Sequence, residues 1–156
     1  MLKYHDYKYL KKITASPIRI IASETGVYGY TMNASGAFQA YKKAQVQTAD
    51  QGTLLIMCYD RAINFLKQAR EAIVSQDTGK QNEMLTKAQN ILWELASCLN
   101  FEAGEIAYNL DSLYNYMIRR LVDAQYRSSV AIVDEVLGHL QEMKKSWQTI
   151  IHKKAL

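Results

Sequence analysis

The sequence predicts an all-α fold, an antiparallel four-helix bundle preceded by a short leader helix. Three observations carry that prediction. The single proline, Pro17, lies near the start, and nothing from residue 32 onward contains another. A proline-free stretch of that length leaves helical hydrogen bonding uninterrupted. Four separate segments repeat apolar residues at steps of three and four, the period of one helix face. Turn-forming residues fall between those segments and rarely within them.

The elements follow in order. The leader, residues 35–43, is short and carries Phe38 and Tyr41. Helix one presents Leu55, Cys58, Ala62, Leu66, Ala69 and Ile73, and Asp50 is placed to cap its first turn. The cluster Asp77-Thr78-Gly79 reads as a turn, with Gly79 expected in the left-handed conformation after the helix end. Helix two presents Leu85, Ala88, Leu92, Leu95 and Leu99, and Gly104 is expected to end it. Helix three carries Ile106, Leu110, Leu113, Met117, Leu121 and Ala124. Ser128 or Ser129 is expected to cap helix four, whose stripe is Val133, Val136, Leu140, Met143, Trp147 and Ile150. Gly138 interrupts that stripe and suggests close approach of a neighbouring helix. Short connections dictate that successive helices pack antiparallel.

Composition narrows the function. The net charge of +4 is uneven, because residues 1–31 hold five lysines and arginines against two carboxylates. The remaining chain lacks the clustered basic excess of a nucleic-acid binder. No run of 18 apolar residues can span a membrane. Cys58 and Cys98 sit in apolar stripes without metal or redox spacing, and read as small buried hydrophobes in a reducing compartment. The expected location is therefore the cytoplasm. Residues 1–33 form a separate, weakly ordered extension in this reading, and residues 34–156 the bundle domain.

Catalytic signatures are missing from the sequence. His139 lacks the following lysine and glycine of a phosphotransfer histidine, and Glu135 with His139 offers one acid–histidine pair where a di-iron bundle needs two. No phosphate loop or nucleophile–base pair is found. The expectation is a non-enzyme with no cofactor and no metal. What stands out is an excess of aromatic and apolar side chains beyond a single stripe. Tyr114 and Tyr116, two apart, cannot face one core, and Met57 beside Leu54 and Ile91 beside Leu92 pose the same question. They form either a second core-facing stripe or a groove for a partner helix, for which tyrosine and methionine are suited.

Residues 34–151 resemble the flagellin export chaperones of the FliS type. The resemblance rests on Ala34-Ser35-Gly36 with Ala40-Tyr41, then Val46-x-Thr48-Ala49 and Leu54-Leu55-x-Met57-x-Tyr59-Asp60. It continues through Lys87-Ala88-Gln89-Asn90-Ile91, Glu94-Leu95 and Leu99-Asn100, the junction Gly104-Glu105-Ile106-Ala107, and Asn109-Leu110. Leu113-Tyr114-x-Tyr116-Met117, Arg119-Arg120-Leu121 and Glu135-Val136-Leu137 with Trp147 complete it. The family commonly has proline, leucine and a small residue where this chain has Gln51, Cys58 and Arg61. It also lacks residues 1–31, which makes Met32 the expected native start.

The resemblance implies a chaperone that binds the C-terminal segment of flagellin, prevents its premature polymerisation and passes it, once loaded, to the flagellar export apparatus. The expected groove comprises Phe38, Tyr41, Val46, Leu54, Met57, Ile91, Tyr108, Tyr114 and Ile118. Phe38 and Tyr41 are expected to act as a lid that a client displaces. Two competing readings stay open at this point. One is a helical signalling or phosphotransfer bundle, and the other a homo-oligomer, of which a weak homodimer is the mildest form.

Overall fold

The computed structural model describes residues 51–154. The four predicted helices are present: α1 (Gln51–Val74), α2 (Thr78–Ser97), α3 (Glu105–Arg127) and α4 (Val130–Lys154), with one 3₁₀ turn at Phe101–Ala103. Each packs on the next, and α4 closes back on α1, so the helices occupy the corners of a square. The leader, the Asp50 cap, the Met32 start and the site candidates Phe38, Tyr41 and Val46 lie outside the described residues.

Two ion pairs fix the antiparallel register of α1 and α4. Asp60 pairs with Lys144, and Arg70 Nε donates to Asp134 at 2.8 Å, so ten residues forward along α1 match ten residues back along α4. Exposed pairs of this kind contribute at most about 1 kcal/mol each. The driving force is the apolar interior, where Leu55, Leu66, Leu85, Leu92, Leu121 and Leu140 are all essentially inaccessible to water. Alanines at 62, 69, 88, 107 and 124 are equally buried and let the helix backbones approach. The four stripes read from the sequence are thus core, with Ile73, Leu99, Ile106, Leu113 and Met143 packed at its margin.

Glycines depart from expectation in three places. Gly79 is not a left-handed cap; it lies inside the first turn of α2, and Asp77 is the N-cap, accepting from the Lys80 backbone N–H at 3.0 Å. The left-handed residue is Gln76, at φ +59°, and the Asp77 N–H returns to the Ala72 carbonyl at 2.9 Å. That bond gives α1 a Schellman ending with a side chain where glycine is usual. Gly104 does not end α2, which stops at Ser97. It marks instead the turn into α3, at φ +86° and ψ −150°, a region open to glycine alone.

Of the two serines expected to cap the fourth helix, Ser129 takes that place and Ser128 ends the helix before it. Ser128 ends α3 in the left-handed conformation, and Ser129 Oγ accepts from the Ile132 N–H at the start of α4. Gly138 overturns the third expectation. A β-carbon there would meet nothing within 4 Å among the described residues, so no helix of the bundle presses against it.

Candidate partner-binding surface

Aromatic residues occupy two different settings in this bundle. The first is internal. Trp147 Nε1 donates to the Tyr59 hydroxyl at 3.2 Å, and the Tyr59 and Tyr114 hydroxyls share a 2.6 Å bond across the diagonal of the square. All three side chains are buried. Burial in the apolar core, above every other cause, holds both phenols above the ordinary value of 10, so they remain neutral donors and acceptors. The neighbouring thiol of Cys58 is pushed up to about 12, mainly by burial and secondarily by Cys98, which removes any nucleophilic character near neutral pH.

The second setting is the outer face of α2 and α3. Among the described residues the exposed large apolar side chains include Trp93 (55% exposed), Phe101, Tyr108 (59%), Val122 (51%) and Tyr126 (92%). Tyr108 and Tyr126 are eighteen residues apart, about five helical turns, and so point the same way from α3. Val122 is about 40° from that line. Gln89 of α2 reaches Gln125 of α3 at 3.1 Å, and Gln81 donates to the Gln125 carbonyl at 3.2 Å and to Ser128 Oγ at 3.0 Å. These bonds tie the start of α2 to the end of α3. Trp93, one turn beyond Gln89, therefore stands on the α3-facing shoulder of α2, level with the middle of α3. Phe101 and Tyr108 close the far end, their rings 4.9 Å apart.

The result is a strip about 27 Å long at 1.5 Å per residue, with apolar groups at its ends and middle. Ser112, exposed, and Asn115, half-buried, supply polar edges between them. Isolated apolar residues on a surface mean little; several aligned along one seam mark a contact surface.

The site residues expected from the sequence distribute unevenly. Tyr108 is on this strip. Met57 is half-buried on α1. Leu54, Ile91, Tyr114 and Ile118 lie in the interior, each 5% exposed or less, and in this form support the helices rather than wall an open groove. Trp93, Phe101, Val122 and Tyr126 were absent from the expected site. Their signal was present, since Trp93 and Val122 fall in the polar phase of their helices, where core packing gives no reason for them.

On the neighbouring seam, between α3 and α4, polar groups are satisfied among themselves. The Arg120 Nη2 and Nε donate to Glu135 Oε2 at 2.7 and 3.0 Å, and the Tyr116 hydroxyl donates to Oε1. The Arg120 hydrogen bonds first, then that of Tyr116, hold the Glu135 carboxyl below its ordinary 4.5. His139 is half-buried with the Tyr116 ring edge-on at 6.1 Å, so it is not presented as a free phosphoacceptor. No group of three or more potential ligands could hold a metal among the described residues, and none of their helices is long and apolar enough to cross a membrane.

Comparison with known proteins gives the family of the chain. The family model described as flagellar protein FliS matches residues 33–154. The chain is 35% identical over 114 residues to the flagellar secretion chaperone FliS of Bacillus subtilis, covering 73% of this chain and 85% of the relative. It is 36% identical over 127 residues to the FliS of Salmonella typhimurium, covering 80% and 94%. A third relative, the flagellar secretion chaperone FliSB of Pseudomonas aeruginosa, is 35% identical over 125 residues, or 79% and 99%. With the family pattern spanning the whole helical bundle, the chain belongs to the FliS family of flagellar secretion chaperones.

Proposed function

We propose that this protein is a cytoplasmic chaperone for flagellin, binding the C-terminal segment of the newly made subunit, preventing its premature polymerisation and presenting it to the export apparatus. One observation of the structure carries the reading: the apolar strip of Trp93, Phe101, Tyr108, Val122 and Tyr126 along the α2–α3 seam. Its length of about 27 Å matches a helix of about eighteen residues. An amphipathic segment that assembles by helix packing would find there the contacts it makes in the filament, and would be withheld from assembly while bound.

No chemistry is required of the chaperone. Burial of apolar surface drives association, offset by about 2–5 kcal/mol or more for ordering a flexible client. Calorimetric titration with the C-terminal 40–60 residues of flagellin tests the proposal. Tight binding with a negative heat-capacity change is the expected result, and absence of binding defeats it.

A further inference from the structure

The α1–α4 seam, on the side of the square opposite the apolar strip, has a different character. It contains a groove of about 470 Å³ with Ile63 at its base. Lys67 of α1 and Lys144 and Lys145 of α4 stand along it, against the single carboxylate of Asp60. Lys144 is paired with that carboxylate. Lys67 and Lys145 are exposed and have no carboxylate partner among the described residues. Other cations at helix seams are matched, Arg70 by Asp134 and Arg120 by Glu135 and Asp123.

The spacing of the two unmatched ammonium groups is set by the helix register. Asp60 opposite Lys144 places Lys145 level with residue 59 of α1, so Lys67 and Lys145 bracket the groove about 12 Å apart along its axis at 1.5 Å per residue. Carboxylates at positions i and i+7 of a helix lie on one face, about 10.5 Å apart. The groove offers such a helix one apolar contact at Ile63, two cations at that separation, and the side-chain amides of Asn64, Gln141 and Gln148 between and beside them.

We infer that the α1–α4 groove is a second docking site, which receives an acidic helical segment of a protein partner while the α2–α3 strip is left open. A protein segment fits better than a nucleic acid. Residues 51–154 contain twelve basic and twelve acidic residues, so the bundle has no net positive charge to draw in a phosphate backbone. The two sites lie on opposite sides of the bundle, and occupancy of one does not cover the other.

The test uses the full chain and three labelled probes. The first is an alanine-rich helical peptide with glutamates at i and i+7, the second has the same composition with the glutamates adjacent, and the third is a twenty-nucleotide oligothymidylate. The spaced peptide is expected to bind most tightly, with an affinity that falls as salt rises. It should weaken at least tenfold in the Lys67→Glu/Lys145→Glu protein and by a smaller factor in Lys67→Gln/Lys145→Gln, both checked for native helicity by circular dichroism. Equal affinity for wild type and both double variants, no binding to wild type, or tighter binding of the oligothymidylate would each overturn the inference. Titration of the flagellin C-terminal segment into the same variants is expected to be unchanged, which separates failure here from failure of the client reading.

Discussion

Trp147 with Tyr59 and Trp93 with Tyr126 are the same residue types put to opposite uses. The inner pair is buried and hydrogen-bonded, its polar atoms spent on each other and on Tyr114. The outer pair is exposed, and its rings are half or more in water. An indole or phenol closed inside the bundle stabilises the fold and offers a partner nothing. On the rim of a seam it adds little to the fold and keeps its apolar area for a guest. Position on the helix, rather than residue type, separates stability from binding.

Substitutions can break that comparison. The largest expected effect is from Trp147→Ala, which empties the interior and removes a donor; unfolding by denaturant should show a loss of about 3–5 kcal/mol. Tyr59→Phe keeps the ring but leaves the Tyr114 hydroxyl and the Trp147 N–H without their shared oxygen, at a cost of about 1–3 kcal/mol in the same measurement. Neither should alter client affinity once the folded fraction is corrected for. Gly138→Ala probes the helix that carries Trp147. With nothing within 4 Å of the new methyl, it should stabilise by about 1 kcal/mol, read as a rise in melting temperature. A loss would mean that something does pack there.

The smallest effect is electrostatic. The carboxyl of Glu135 titrates below its ordinary 4.5 in the folded protein because the charged form is held by Arg120 and Tyr116. The resulting stabilisation is present above the unfolded-state value and is lost as pH falls through the lower folded-state value. Glu135→Gln should therefore lower stability in the neutral region, where the charged form is held, and leave the acid end little changed, so that the acid limb is flatter. An unchanged acid limb would place the acid sensitivity in other carboxylates.

Much of the fold was legible in the sequence because it rests on repetition. The stripes Leu55 to Ile73 and Val133 to Ile150 could be read one residue at a time, and each interior position they named is buried or packed at the core margin. Local backbone geometry was less legible. Gly79 and Gln76 compete for the left-handed position in one short turn, and the Schellman bond to Ala72 settles it in favour of glutamine against the usual preference. Gly138 looked like a contact point because a mid-helix glycine costs stability, yet its neighbourhood is open.

The candidate surface was legible only in part. Tyr108 was named, whereas Leu54, Ile91, Tyr114 and Ile118 were placed on a groove and are interior. Apolar character alone cannot distinguish a second core stripe from a groove wall when each helix touches two neighbours. Phase could have helped, since Trp93, Val122 and Tyr126 fall where water is expected. Their alignment into one seam, however, depends on the register of α2 against α3, which Gln81 and Gln89 reveal only in three dimensions.

Calorimetric titration of the flagellin C-terminal segment into wild type and Trp93→Ala/Tyr126→Ala decides whether the α2–α3 strip is the client surface. The double variant should keep native stability within about 1 kcal/mol, as is usual for exposed sites away from caps and core. Its affinity should fall at least about tenfold, or about 1.4 kcal/mol, from loss of the two aromatic contacts. Undiminished affinity in a stably folded double variant would contradict it and move the client to another face of the bundle.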